Sequence, residues 1–377
     1  MEHKGTRFSP SLCVTHDCNL NCVYCYQKHD SGMKMPLDVA KASIDWIFDN
    51  VPSGMSEVEI SFIGGEPLLE FDLIKDIIDY TRSKERKEKY VFFATTNGTL
   101  LTDTMKEWFD QNNELFVLGL SLDGNKLTHD HNRSNSFGNI DLDFFKRNWP
   151  YQTVKMTLSD FSLCHLSDNI KYIHSHGFKI AGVNLGEGDF DWGRDEYIKT
   201  LVPQLKELVK YYIKNDTLPL NQMFDKKLHY CEFKEKMLKK WCGIGIGTPF
   251  FDIDGKIYPC TYVTPMTYPF DDIETIKNID FTNESNFLDE DCYNNCYIYP
   301  ICPTCAGANY FVNKDLKTRD KRKCKIQQLI ALFIADLTAK RIIKDRTSFD
   351  DGTLHYTIKA IQQIRELYLK EFEVYFK

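Results

Sequence analysis

The chain of 377 residues is long enough for two domains, and its 42% apolar content is ordinary for a globular protein. A net charge of −7 argues against nucleic acid or an anionic membrane as the main partner, no apolar run reaches the length of a membrane span, and Met1-Glu2-His3-Lys4-Gly5 does not open a signal peptide. A cytoplasmic location is therefore expected, and there thirteen cysteines point to metal or cluster ligation rather than disulfides.

In chain order, Ser11 to Thr15 reads as a strand leading into Cys18-x3-Cys22-x2-Cys25, and Leu37 to Val51 as a helix. Glu57 to Ile63 alternates polar and apolar positions as a strand does, ends in Gly64-Gly65-Glu66-Pro67, and precedes a helix from Leu69 to Ser83. Further strands are expected at Tyr90 to Thr95, Leu115 to Leu122, Val154 to Leu158 and Lys179 to Leu185. Helices at Asp103 to Asn112, Leu142 to Trp149 and Leu166 to His176 separate them, and Asp195 to Lys214 follows. Six strand–helix units in a row imply an α/β fold with a parallel sheet, a partial (β/α)6 TIM-like barrel left open. After a linker at Asp216 to Asn221, five aromatic or histidine residues from Phe224 to Trp241 either pack or line a peptide groove. Two helices, Ile326 to Ile343 and Thr353 to Phe376, close the chain as a cap.

Three thiolates cannot fill a four-iron cluster, so the Cys18, Cys22, Cys25 loop leaves one iron for a ligand that is not protein. A zinc site completed by His16 or His29 is the competing reading. With Tyr24 before the third cysteine, the run resembles the radical S-adenosylmethionine (radical SAM) superfamily. The resemblance implies a 4Fe-4S cluster whose open iron takes the methionine end of S-adenosylmethionine, and a 5′-deoxyadenosyl radical made from it. Gly64-Gly65-Glu66-Pro67 is similar to the second signature of that family, where the turn meets the cofactor's amino group. The glycines are expected to let backbone approach a ligand closely. Asn97, Ser121 and Asp123 are similar to the third- and fourth-strand motifs of the sulfatase-maturase branch, which implies that they and Arg133 contact the cofactor. A turn role for Asn97 and an ion pair for Arg133 are the plain alternatives.

The other cysteines form a second array: Cys242, Cys260 after Asp254-Gly255, then Cys292-x3-Cys296-x5-Cys302-x2-Cys305, and Cys324. It resembles the SPASM extension, although the family's spacing of two, five, three is here three, five, two. The resemblance implies two auxiliary 4Fe-4S clusters, one on Cys242, Cys260 and Cys305, the other on Cys292, Cys296, Cys302 and Cys324. The first then either keeps an open iron or takes Cys231. A pair of zinc sites is the alternative, and Cys13 and Cys164 read as small core residues. Three domains are expected: a radical SAM partial barrel over 1–220, a SPASM domain over 221–330 and a helical cap over 331–377.

Auxiliary clusters imply an oxidised product. Two members of the class compete: a maturase cross-linking a ribosomally made peptide, with the auxiliary clusters accepting the electron, and an anaerobic sulfatase maturase that makes formylglycine from Cys or Ser. The sulfatase branch carries an aspartate base after the cysteine matching Cys260, and here the residue is Thr261. Asp252 or Asp254 could substitute, but the loss ranks peptide cross-linking first. The expected partners are a peptide or protein substrate, a flavodoxin- or ferredoxin-type electron donor and, with seventeen residues before Cys18, possibly a separate leader-binding protein. A protein that merely carries clusters is the non-enzymatic alternative.

Overall fold

The computed structural model describes residues 7–236 and 240–375. β1 (Arg7–Phe8) and β2 (Ser11–Thr15) lead to α1 (Leu37–Asp49), β3 (Glu57–Gly64), a single 3-10 turn at Pro67–Glu70 and α2 (Phe71–Arg82). The alternation continues through β4 (Lys89–Thr96), α3 (Asp103–Asn112), β5 (Phe116–Leu120), α4 (Lys126–Asn132), α5 (Leu142–Asn148), β6 (Val154–Leu158), α6 (Leu166–Ser175), β7 (Ala181–Leu185) and α7 (Asp195–Lys214).

Strands β5, β4, β3 and β2 lie side by side in parallel, and β6 pairs with β7 in parallel. The two groups join where the Leu122 N–H donates to the Lys155 carbonyl at 2.9 Å, beside a single Ser121–Lys155 bridge. Six parallel strands thus make the open barrel that the pattern implied. Period-2 patterning explains its core: Val58, Ile60 and Phe62 of β3 and Phe92 and Ala94 of β4 face the helices and are buried. Phe62 stacks on Phe92 and Phe116 at 5.6 and 5.9 Å, pairs worth about 0.5–1.5 kcal/mol each beyond area burial.

The cysteine-rich region is woven into this sheet. β8 (Phe250–Phe251) pairs in parallel with Ser11 and Leu12 of β2, and β9 (Ile257–Tyr258) returns antiparallel to it through Gly255 at φ +78°. Short helices α8 (Phe270–Lys277), α9 (Glu290–Asn295) and α10 (Ala306–Asn313) follow, then α11 (Cys324–Lys344) and α12 (Asp351–Phe372). α11 is apolar on several faces because it lies between α7 and α12, so the expected boundary at 330/331 falls inside one continuous helix. No helix among the described residues is long and apolar enough to cross a membrane.

Candidate active site

The loop carrying Cys18, Cys22 and Cys25 leaves the end of β2 and is pinned by four neighbours. The Gly65 and Glu66 N–H groups donate to the Thr15 and Asp17 carbonyls at 3.2 and 2.9 Å. Asn19 exchanges side-chain bonds with Asn97 and Thr99 at 2.9 and 2.8 Å. The Val23 N–H donates to the Asn132 carbonyl at 3.0 Å and the Asn21 N–H to Ser134 Oγ at 2.9 Å, which Ser134 and Asn135 reach by turning left-handed after α4. On the auxiliary side Tyr26 stacks on Tyr262 at 4.2 Å, and His16 Nε2 bonds Asp252 Oδ1 at 2.6 Å.

Gly64 and Gly65 line the cavity and also have a second reason to be glycine. A Cβ at Gly64 would stand 2.6 Å from the Thr15 carbonyl oxygen, and one at Gly65 2.3 Å from the Asp17 oxygen and 2.7 Å from Cys18 Cβ. The bare backbone is needed to seat the cysteine loop itself.

Glu66 is 1% exposed and its carboxylate accepts from the Asn97 N–H at 2.8 Å, the Thr96 hydroxyl at 2.7 Å and the Leu68 N–H at 3.1 Å. It therefore ties the turn to the end of β4, and Asn97 answers both as turn residue and as cavity wall. Burial, only partly offset by those donors, pushes the Glu66 carboxyl up from 4.5 to about 7. Because the folded value lies above the unfolded one, this group's stabilisation is complete below pH 4.5 and is lost as pH rises through about 7. The difference in unfolding free energy between wild-type apoprotein and Glu66→Gln is expected to shrink by about 3 kcal/mol across that window. Urea titrations at both ends read it, and a difference that stays flat with pH removes the buried charge from the account.

Asp123 is fully buried and lies behind the cavity wall. It accepts from Tyr24 Oη at 2.5 Å, Arg133 Nε at 3.1 Å, Asn132 Nδ2 at 3.1 Å and the Thr157 N–H at 3.0 Å. It holds residues that face the cavity and is not itself on the cavity wall. Burial works against the charge on Arg133, but Asp123 holds the guanidinium firmly protonated, 5.3 Å over the Tyr24 ring. The cavity, about 410 Å³, is walled by Cys18, Cys22, Cys25, Gly64, Gly65, Glu66, Asn97, Ser121 and Arg133 together. Sequence reading missed Lys155, Thr157, Asn184 and Glu187 on the same wall. The inward register of β6, polar at Lys155 and Thr157 between buried Val154, Met156 and Leu158, was the signal available.

The auxiliary cysteines lie near one another in the cysteine-rich region. Cys260 and Cys305, raised chiefly by burial to about 11 and about 12, each also feel the charge of Cys242. Cys292, Cys296, Cys302 and Cys324 line one small cavity of about 40 Å³, which Cys305 also borders, with Lys321 Nζ 2.8 Å from Cys292 Sγ. Cys231 is 5% exposed and lies toward Cys296, on the side of the second group and not the first. Asp252 is spent on His16 and Asp254 on Lys256, neither on the active cavity wall, whereas Thr261 is on it. Cys13 is core, as expected, but Cys164 is exposed, because the chain leaves β6 for a 3-10 turn at Phe161–His165 that turns its thiol outward.

Thiol spacing tests what these groups can hold. Tetrahedral zinc with bonds of about 2.3 Å keeps its sulfurs roughly 3.8 Å apart. Among the described residues the one set of three such ligand atoms within 4.8 Å of one another is Cys13, His16 and Asp252, so no cysteine group is drawn in to zinc spacing. In that set the Cys13 thiol is pushed well up by burial and then by Asp252, and His16 and Asp252 satisfy each other, which makes it a clip between the loop and the auxiliary hairpin. An all-thiolate ligand set is the chemistry of iron–sulfur clusters.

An open parallel barrel whose first strand feeds a three-cysteine loop over a Gly-Gly-Glu turn defines a radical SAM domain. Residues 12–147 match the family described as the Radical SAM superfamily, and the chain carries that domain, with the 4Fe-4S cluster and S-adenosylmethionine the family implies. The chain is 23% identical over 343 residues to a cysteine-type anaerobic sulfatase-maturating enzyme of Clostridium novyi, covering 83% of this chain and 91% of that one. It is 21% identical over 353 residues to the radical SAM cyclopropyl synthase TigE of Paramaledivibacter caminithermalis, covering 85% and 72%. Among solved structures, native anSMEcpe with bound AdoMet superposes with a TM-score of 0.67 at 17% identity, over 91% of this chain and 100% of that chain. Streptococcus suis SuiB bound to precursor peptide SuiA gives 0.55 at 15% identity, over 84% and 75%. The structural likenesses establish the fold, and the relatives place the chain among radical SAM maturases.

Proposed function

We propose that this protein is a maturase of a ribosomally made peptide and forms an oxidative cross-link within it. The observation that carries the choice is Thr261, which puts a hydroxyl on the cavity wall where the sulfatase-maturase pattern puts a carboxylate. A threonine hydroxyl cannot act as a general base near neutral pH. When bound, the clusters and S-adenosylmethionine supply a hydrogen-abstracting 5′-deoxyadenosyl radical and an acceptor for the electron released on oxidation. The residues do the holding. Cys18, Cys22 and Cys25 carry the cluster beside the cofactor, Glu66 fixes the turn under it, Ser121 and Arg133 offer a hydroxyl and a cation to its polar end, and Tyr26 on Tyr262 walls the cavity toward the auxiliary region. Cys242, Cys260 and Cys305 hold one auxiliary cluster with an open iron, because Cys231 lies on the other side, and Cys292, Cys296, Cys302 and Cys324 hold the second. A flavodoxin- or ferredoxin-type protein supplies electrons, and leader recognition falls to the auxiliary region or to a separate protein. Sulfatase maturation is the second reading, favoured by the full coverage of the anSMEcpe chain.

The test is tandem mass spectrometry of a small peptide encoded beside this protein, after anaerobic incubation with reconstituted enzyme, reductant and S-adenosylmethionine. Loss of two hydrogens, with fragmentation suppressed between two residues, is expected. An unmodified peptide alongside a sulfatase peptide that gains an aldehyde would sink the cross-linking reading. Cys18→Ala, Cys22→Ala and Cys25→Ala are each expected to abolish deoxyadenosine formation, whereas Cys260→Ala and Cys305→Ala spare part of it and block the product.

A further inference from the structure

A second cavity of about 240 Å³ opens beside the active one and shares Asn184, Leu185 and Glu187 with it. Its outer wall carries Lys226, Trp241, Cys305 and Lys323. Three of the lining side chains are charged, and their pairing is unequal. Lys323 is ion-paired with Glu187. Lys226 is half-buried, with its Nζ 5.9 Å over the Trp241 ring, and among the described residues it has no ion pair and no side-chain hydrogen bond. Asp225 next to it raises its charge affinity without bonding it, while burial, the larger effect, lowers it. A partly desolvated ammonium without an acceptor is costly, and a ligand anion that reaches it gains a charge-assisted hydrogen bond in a setting where water competes poorly.

We propose that this side cavity is a carboxylate-binding subsite for the peptide substrate, with Lys226 as the charge partner and Trp241 as the apolar wall beside it. The inference rests on the peptide-maturase reading and deepens it. A substrate threaded from the active cavity past Asn184 and Glu187 brings an anionic group to Lys226, so acceptable peptides carry a carboxylate at a fixed distance from the modified residue. That carboxylate belongs to an Asp or Glu side chain or to the peptide's C-terminus. The competing role for Lys226 is that of counter-ion to the auxiliary thiolates, since Cys302 is among the charges it feels.

The experiment is affinity selection on immobilised holoenzyme with S-adenosylmethionine, read by mass spectrometry. It uses two synthetic random peptide libraries, one amidated at the C-terminus and one with a free C-terminus but no Asp or Glu. Wild type is expected to enrich acid-bearing peptides. Enrichment from the amidated library assigns a side-chain carboxylate, and enrichment from the other assigns the terminal one. Lys226→Met should cut the enrichment about tenfold to a hundredfold, and Lys226→Glu should turn the preference to Lys or Arg. The inference is overturned by wild type that shows no acid preference, by Lys226→Met that keeps it, or by a variant that shifts the auxiliary midpoint potential while selecting the same peptides. Selected acidic peptides that stay unmodified on adding reductant would sink the cross-linking reading and leave the subsite standing, and modified peptides without a carboxylate would do the reverse.

Discussion

Replacing Asp123 with alanine is expected to cost about 3–5 kcal/mol of stability and to reduce deoxyadenosine formation by about a hundredfold or more. The cost arises because Arg133, 7% exposed, would keep its charge in a buried site without the carboxylate that now receives it at 3.1 Å. The Thr157 N–H and the Asn132 amide lose their acceptor in the same step. The activity falls for a connected reason. Asn132 holds the Val23 N–H of the cluster loop through its carbonyl, and Tyr24 of that loop donates to Asp123 directly, so one deletion loosens both the loop and the guanidinium on the cavity wall. The double variant Asp123→Ala, Arg133→Met separates the two effects. It should recover most of the stability, because no unpaired charge remains, but not cofactor cleavage. Chemical denaturation and deoxyadenosine yield measure them, and an Asp123→Ala protein as stable as wild type would mean that Arg133 finds another partner.

Gly65→Ala is expected to lose the cluster of the Cys18 loop, about four irons per chain after reconstitution, and with it cofactor cleavage. An added methyl 2.3 Å from the Asp17 carbonyl oxygen and 2.7 Å from Cys18 Cβ meets backbone and the root of a ligand side chain, neither of which can swing aside. Relief needs the loop to move by about 1 Å, enough to cost about a hundredfold at a reacting centre. Gly138→Ala is the control, since a methyl there meets nothing within 4 Å. Iron and sulfide analysis after reconstitution decides it: a Gly65→Ala protein with full iron content would show that the turn exists for the ligand and not for the loop.

Much of this was legible in the sequence because it is local. Alternation in β3 and β4 placed Val58, Ile60, Phe62 and Phe92 in the core, and the bounds of β2, α3, β6 and α7 agree with the spacing of apolar residues. The Cys18, Cys22, Cys25 loop was readable for the same reason, since ligand spacing within a loop is a property of a short stretch of chain. α4 was not readable: its seven residues, Lys126–Asn132, carry too few apolar positions to show a period. Yet α4 delivers Arg133 to Asp123 and Ser134 to Asn21.

The sequence by itself determined the class of fold, the three-thiolate loop and the Gly-Gly-Glu turn, all written in short stretches of chain. Tertiary structure decided what depends on residues far apart in the chain. It withdrew Asp123 from the cavity and saturated it with donors from the cluster loop, α4 and β6. It laid β8 against β2, so that His16 beside the cysteine loop meets Asp252 at 2.6 Å. It sent Cys231 toward Cys296 and set Lys226, with no ion pair among the described residues, beside the Trp241 ring in the cavity next to the active one. Each of these is a question of which buried charge or donor finds a partner, and composition and period carry no information about which partner the fold brings up.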